Sequence, residues 1–165
     1  MLDTLPGAVT DLPFFDDEHR TLVKPLEQWA REQFSTRVHA GDVDNLCRTR
    51  VRALGQAGWL RWCVPATAGG ALPELDSRSL CLARQTLGFY DGLADFAFAM
   101  QGLGSGPVSL FGTPEQQAKY LPSVAQGLAI AAFALSEPEA GSDAGAMRMR
   151  ATRVGNHYRL NGVKT

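Results

Sequence analysis

Residues 110–145 read "LFGTPEQQAKYLPSVAQGLAIAAFALSEPEAGSDAG", and the fold turns on where this stretch changes character. Its first half carries a compact helix start. Thr113 stands at the N-cap, Pro114 at the first helical position, and Gln116 three residues after the cap, which is capping-box spacing. Tyr120, Leu121 and Val124 mark an apolar side, and Gly127 closes the helix. After Gly127 the period shifts. "AIAAFAL" at 129–135 reads as a buried strand. "SEPEAGSD" at 136–143 is too dense in proline, glycine, serine and carboxylates for either regular element. Ser136 to Glu139 also fits S-x-x-E, a helix-capping signature. The segment is either an ordinary turn or a place built to hold a ligand.

Upstream, helical periodicity dominates. Asp16 and Asp17 cap a helix whose apolar positions, Leu22, Val23, Leu26, Trp29, Ala30 and Phe34, recur at spacings of three and four. Pro25 lies inside that pattern, so the helix is either kinked there or starts close to it. A second helix is predicted over 43–57, with Leu46, Cys47, Val51 and Leu54 on one face and Gly58 as its stop. "GWLRWCVPATAGGALPEL" at 58–75 reads as a loop crossing the bundle surface, pinned by Trp59, Leu60 and Trp62. Helices over 75–87 and 93–111 follow. The latter is apolar nearly all round through "LADFAFAMQGLG", which predicts the buried centre of the bundle. Gln101 is its polar exception: its amide meets a backbone partner or solvent, or it faces a ligand cavity.

Downstream, "RMRATRV" and "HYRLN" alternate, with Met149, Ala151, Tyr158 and Leu160 predicted inward. Gly155-Asn156 between them is a two-residue hairpin signal, and Asn161-Gly162 turns the chain again. About three strands with an open edge make the start of a β domain and not a finished one. The expected fold is therefore mainly α: a helical bundle over 1–127, then the beginning of a β-sheet or barrel domain over 128–165. The chain reads as cut.

Composition narrows the function. With 45% apolar and 20% charged residues, the chain is that of a folded globular protein. Lys and Arg number 16 against 17 Asp and Glu, with no block of like charge, which argues against nucleic-acid or membrane-surface binding. The run "LAIAAFAL" is too short to span a bilayer. The N-terminal residues have neither a secretion-signal nor a transit-peptide layout, so a cytoplasmic location is expected. Cys47, Cys63 and Cys81 are odd in number and never paired as C-x-x-C. His19, His39 and His157 are equally scattered, so neither a disulfide framework nor a metal site is expected.

The turn-rich segment has chemistry of its own. Pro138 stiffens it, and Gly141 permits a positive φ or the close approach of another group. Ser136 and Ser142 offer hydroxyls and backbone N–H groups, a set suited to an anion or to the polar edge of a heteroaromatic ring. Glu137, Glu139 and Asp143 argue against a bare phosphate clamp unless their side chains point away.

"AFALSEPEAGSDAGAMRMRATRVGNHYRLNGVKT" at 132–165 resembles the flavin-proximal signature of the acyl-CoA dehydrogenase family. "LGQAGWL", "VPATAGG" and "LFGTPEQQAKYLPSVAQGLAIAAFALSEP" match the same family in order and spacing, so the resemblance covers essentially the whole chain. It implies a helical N-terminal domain, a middle β domain and a second helical domain, with FAD between the β domain and the helices. Phe133 then takes the place of a residue beside the flavin ring. Leu135 and Ser136 match positions whose N–H groups, with the Ser136 hydroxyl, bond the pyrimidine edge. Gly141 and Ser142 match the turn near the FAD pyrophosphate, and Ser142 also touches the acyl-CoA. Gln101 and Leu103 fall on the stretch that lines the acyl cavity in relatives.

The implied reaction removes the α-proton of an acyl-CoA and passes the β-hydrogen to the flavin, giving a 2,3-enoyl-CoA. The family's catalytic base is a glutamate on the later helical domain, beyond Thr165, so no catalytic residue is expected in this chain and the acidic residues of the turn are expected to be bystanders. Implied partners are an acyl-CoA, an electron-accepting flavoprotein, and either further copies of the chain as dimer or tetramer or a second chain carrying the remainder. Two alternatives stand beside this reading. One is a non-catalytic subunit or interaction module of a related complex; the other is a flavin oxidase or monooxygenase of the same fold.

Overall fold

The computed structural model describes residues 9–34 and 42–165; His39 lies outside them. Among the described residues five α-helices lead into a single hairpin: α1 (Asp17–Phe34), α2 (Val43–Gln56), α3 (Ser77–Tyr90), α4 (Gly92–Phe111), α5 (Pro114–Ala125), β1 (Arg150–Val154) and β2 (His157–Asn161). The mainly helical class with a start of β structure is as the sequence implies. The chain divides into two compact units between Ala132 and Phe133.

In the helical unit α1 packs on α3, α3 on α4, and α4 on α2 and α5. The three-and-four spacing of α1 puts Leu22, Leu26, Ala30 and Phe34 inside. They join Leu54, Leu60, Leu87 and Phe98 in one apolar core. α1 runs unbroken through Pro25, so Pro25 is not its start. Helix ends are set by side chains. Asp42, Asp76, Asp91 and Thr113 each accept a backbone N–H at an N-terminus, and the Thr113–Gln116 capping box is fully formed.

Gly127 must be glycine on two counts. Its φ is +68°, and a Cβ there would lie 2.5 Å from the carbonyl oxygen of Val51 on α2.

Four expectations need correcting in this unit. The segment after α2 is no surface loop. It forms two 3-10 turns, Trp59–Cys63 and Ala66–Ala68, in which Leu60 and Cys63 are fully buried while Trp59 and Trp62 are only partly so. α3 starts at Ser77 because Asp76 caps it. α4 is not buried all round: Ala94, Ala97, Phe98, Gln101 and Ser105 face inward, while Phe96, Leu103, Leu110 and Phe111 are exposed. Hydrophobicity alone does not say how many faces of a helix find neighbours. On α5, Tyr120 is exposed and Ala125 is buried in its stead.

The second unit holds an antiparallel hairpin in the register Val154↔His157 to Arg150↔Asn161. Gly155 takes φ +60° while no non-glycine among the described residues has positive φ, the pattern of a two-residue II′ turn with glycine first. Both strands are exposed along their whole length, so Ala151, Tyr158 and Leu160 do not point into a core. The predicted strand over 129–135 is unpaired, and two strands stand where about three were expected. Among the described residues no strand lies beside it. The backbone groups of Ala129 and the Ala131 N–H are met otherwise, by Gln101 and by Ser123 at the end of α5. No helix among the described residues is long and apolar enough to cross a membrane.

Candidate functional site

Five of the seven site residues named from sequence, Phe133, Leu135, Ser136, Gly141 and Ser142, fall in the second unit. Gln101 and Leu103 fall on α4 of the helical unit.

On α4, Gln101 is buried and its amide is engaged at both ends. Nε2 donates to the Ala129 carbonyl at 3.0 Å and more weakly to that of Val124 at 3.4 Å, while Oε1 accepts the Ala131 N–H at 2.7 Å. Gly104, one turn on, lets the same segment approach: a Cβ there would lie 2.7 Å from the Ala132 nitrogen. Together they lay residues 129–132 along α4. Leu103 is half exposed on that helix.

In the second unit, Phe133 and Leu135 are exposed at 38% each, and Ser136 is half-buried. The S-x-x-E capping reading fails, since no helix follows. Glu137 and Ala140 exchange both backbone bonds, N–H of 137 to C=O of 140 at 2.8 Å and the reverse at 3.1 Å, closing a tight turn around Pro138. Gly141 does not use a positive φ, but a Cβ at that position would meet nothing within 4 Å, so the space above it is open. Ser142 is exposed beside it. Asp143 turns back to accept the Gly145 N–H at 3.1 Å and so starts the 3-10 turn Ala144–Ala146.

The carbonyls and the N–H groups of Leu135 and Ser136 fare differently. The Leu135 carbonyl accepts from Lys164 Nζ at 2.8 Å, and that of Ser136 accepts from the Thr165 N–H at 3.0 Å. Their own two N–H groups, and the Ser136 hydroxyl, have no acceptor among the described residues. Backbone donors are rarely left without a partner once covered. Three adjacent donors suit the acceptor-rich edge of a planar heterocycle, and the donor set fits a flavin ring.

Glu137 has a structural role in the turn. Its side chain is nearly buried and accepts the N–H groups of Arg148 and Met149 at 2.7 and 3.1 Å and Lys164 Nζ at 2.9 Å. These bonds, led by that from the Arg148 N–H and joined by the Lys164 ammonium, hold its carboxyl below the usual glutamate range. Glu139 pairs with Arg148 at 2.6 Å on the surface. Lys164 was missed from sequence, where "NGVKT" signals only a turn; its partners lie 27 and 29 residues away.

Asp16, Glu18 and His19 bring three ligand-type atoms together. His19 is not free to bind: Nδ1 accepts the Asp16 N–H at 2.9 Å, which leaves its proton on Nε2 to donate to Asp76 at 2.8 Å.

Comparison with known proteins shows the family. The family model described as acyl-CoA dehydrogenase, N-terminal domain, matches residues 16–128. A probable acyl-CoA dehydrogenase of Bacillus subtilis is 36% identical over 156 residues, spanning 91% of this chain and 26% of that protein. A solved acyl-CoA dehydrogenase complexed with FAD, from Bacillus anthracis, superposes with a TM-score of 0.68 at 34% identity, over 91% of this chain and 27% of that one. A chain in a structure of the electron transferring flavoprotein of Acidaminococcus fermentans gives 0.70 at 30% identity, over 90% and 39%. The curated relatives are much longer: this chain spans from 26% to 40% of the length of those named acyl-CoA dehydrogenases.

Proposed function

The chain belongs to the acyl-CoA dehydrogenase family through its N-terminal domain, and from that premise we propose that it is the N-terminal part of an FAD-dependent enzyme oxidising an acyl-CoA thioester to the 2,3-enoyl-CoA. Residues 1–127 are the N-terminal helical domain in this reading, and 128–165 begin the middle β domain. The observation that carries it is the trio of unclaimed donors at Leu135 and Ser136, set beside an exposed Phe133.

In this reading the N–H groups of Leu135 and Ser136 and the Ser136 hydroxyl hold the pyrimidine edge of FAD, and Phe133 lies beside the ring. Gly141 and Ser142 accommodate the pyrophosphate, with Ser142 also reaching the acyl-CoA. Leu103 offers apolar wall on the acyl side, and Gln101 contributes by fixing residues 129–131. When bound, FAD supplies the two-electron acceptor for the hydrogen leaving the β-carbon. Donors fixed at the pyrimidine edge favour the negative charge that accumulates there, without reorganisation at the moment of reaction. No base for the α-proton is assigned here. Glu137 is spent on Lys164 and two N–H groups, and Glu139 on Arg148. That group belongs to a part of the enzyme beyond this chain, on the same polypeptide or on a partner. An electron-accepting flavoprotein takes the electrons onward, and the whole enzyme is a homo-oligomer in the cytoplasm.

The test is anaerobic addition of saturated acyl-CoAs to the flavin-loaded protein with its remaining domains. Bleaching of the oxidised flavin band with matching enoyl-CoA formation is the expected result. A flavin-loaded protein that no saturated acyl-CoA bleaches defeats the proposal, and so does failure to take up FAD. Rapid peroxide release in air shifts the assignment to an oxidase.

A further inference from the structure

Lys164 sits where its charge acts through a peptide bond. Its ammonium has three N–H bonds and three acceptors: the Leu135 carbonyl at 2.8 Å, Glu137 Oε1 at 2.9 Å and Met147 Sδ at 3.3 Å. The Leu135 carbonyl is conjugated, across one planar amide, with the N–H of Ser136. A cation bonded to that oxygen withdraws density from the amide and makes the Ser136 N–H a stronger donor, the cooperative polarisation expected of linked hydrogen bonds at low local dielectric. Glu137 holds the cation in place. Its carboxylate anchors the ammonium from one side, and its bonds to the N–H groups of Arg148 and Met149 tie it to the start of the hairpin. The other charged pair nearby, Arg148 with Glu139, points its charges at each other on the exposed surface.

We infer that Lys164 and Glu137 form a positioning pair that both fixes the Leu135–Ser136 peptide and charges its N–H for a ligand that gains negative charge. The inference rests on the flavin reading of that N–H. It assigns a role to two residues that do not touch the ligand, and it predicts an effect on the ligand's electronic state beyond retention alone.

The experiment compares wild type with Lys164→Met, Lys164→Arg and Glu137→Gln, using two independent readouts. The first is amide hydrogen exchange in the flavin-free 165-residue chain, resolved residue by residue. Glu137→Gln should speed exchange at Arg148 and Met149, and Lys164→Met should do so at Thr165, whose N–H is bonded to the Ser136 carbonyl, with the amides of α1 to α5 unchanged. The second is FAD affinity and the reduction potential of the bound flavin in the protein with its remaining domains. Lys164→Met should weaken FAD binding by less than about tenfold, since it leaves the Ser136 N–H a weaker and less fixed donor without removing a contact to the ligand. It should also move the potential to a more negative value, since the reduced form loses more than the oxidised one. Lys164→Arg, which keeps the charge, should restore most of the potential. Wild-type exchange in both charge-removing variants overturns the pair, as does altered exchange with affinity and potential unchanged. Altered exchange in the variants, together with a wild-type protein that takes up no FAD, supports the local pair and overturns the flavin reading, so the two failures are distinguishable.

Discussion

Two carboxylates, one in each unit, do the same local job in opposite surroundings. Asp76 accepts the Ser79 N–H at 2.8 Å, the Ser79 hydroxyl at 2.7 Å and the His19 imidazole at 2.8 Å. Glu137 accepts two N–H groups and an ammonium. Both end below their usual carboxylate range. For Asp76, burial alone would raise the pKa, and the Ser79 and His19 bonds outweigh it. What differs is what lies beneath. Asp76 joins α1 to α3 over a core containing Leu22, Leu26, Leu87 and Phe98. Glu137 joins a turn to a hairpin whose strands are exposed from end to end. In the helical unit polar contacts refine a structure that burial already holds together. In the second unit, such contacts largely are the structure. The segment proposed to bind the ligand stands on the second kind of scaffold and is set by a few side chains, each of which matters.

The sharpest way to break that comparison is to make matched truncations on both sides. Leu26→Ala removes a fully buried side chain and should cost about 2–5 kcal/mol, the range for large-to-small core changes. Leu160→Ala removes one that is 64% exposed and should stay within about 0.5 kcal/mol. Urea unfolding followed by far-ultraviolet circular dichroism measures both. Cys63 gives an internal probe of the same transition. It is fully buried, and burial pushes its thiol up to about 12, so a thiol reagent should label exposed Cys81 at once and Cys63 only on unfolding. Equal losses for the two leucine variants would erase the distinction between the units.

Next in size is the polar link itself. His19→Leu keeps volume but strips Asp76 of a partner and leaves the Asp16 N–H without its acceptor, at an expected cost of about 1–3 kcal/mol. The pH dependence follows from the direction of the shift. A carboxylate held low in the folded state contributes stability fully present above its unfolded pKa, about 3.9 for an aspartate, and lost as pH falls through the folded value. Wild-type midpoints in urea should therefore fall steadily below about pH 4–5. In Asp76→Asn that part of the acid slope should disappear, along with the stability it represents at neutral pH. An unchanged slope in the variant would remove Asp76 from the account.

How much of this was legible in the sequence follows the range over which each signal acts. The capping box at Thr113, the positive-φ Gly127 and the Gly155-Asn156 turn are local, and each forms where the chain says it should. The helical periodicity of α1 likewise finds buried Leu22, Leu26, Ala30 and Phe34, but it misses buried His19 and includes Val23 and Trp29, which are only partly covered. Burial of Cys63 and exposure of Phe96 and Leu110 are not local, because they depend on which helix faces find neighbours. The unpaired 129–135 segment fails for the same reason: strand-like composition supplies no partner strand. Glu137 and Lys164 were invisible as a pair because a glutamate in a turn and a lysine after Asn-Gly each look ordinary until folding brings them to 2.9 Å.

The smallest effect tests the second unit on its own scale. Gly155 holds φ +60° at the first position of the hairpin turn, with open space where a Cβ would go. Gly155→Ala therefore meets no clash, and its cost is backbone strain alone, on the order of 1–3 kcal/mol for an L-residue held in a sparsely populated φ/ψ region. In a cooperative core such a cost would move the global midpoint. Here β1 and β2 bury nothing, so the strain should appear as faster exchange at the hairpin amides between Val154 and His157, with the urea midpoint of the helices unmoved. The Arg148 and Met149 amides should keep their protection, because Glu137 and not the turn holds them. A global midpoint that falls with Gly155→Ala would mean the hairpin and helices unfold together, and the contrast between a burial-held unit and a contact-held one would have to be withdrawn.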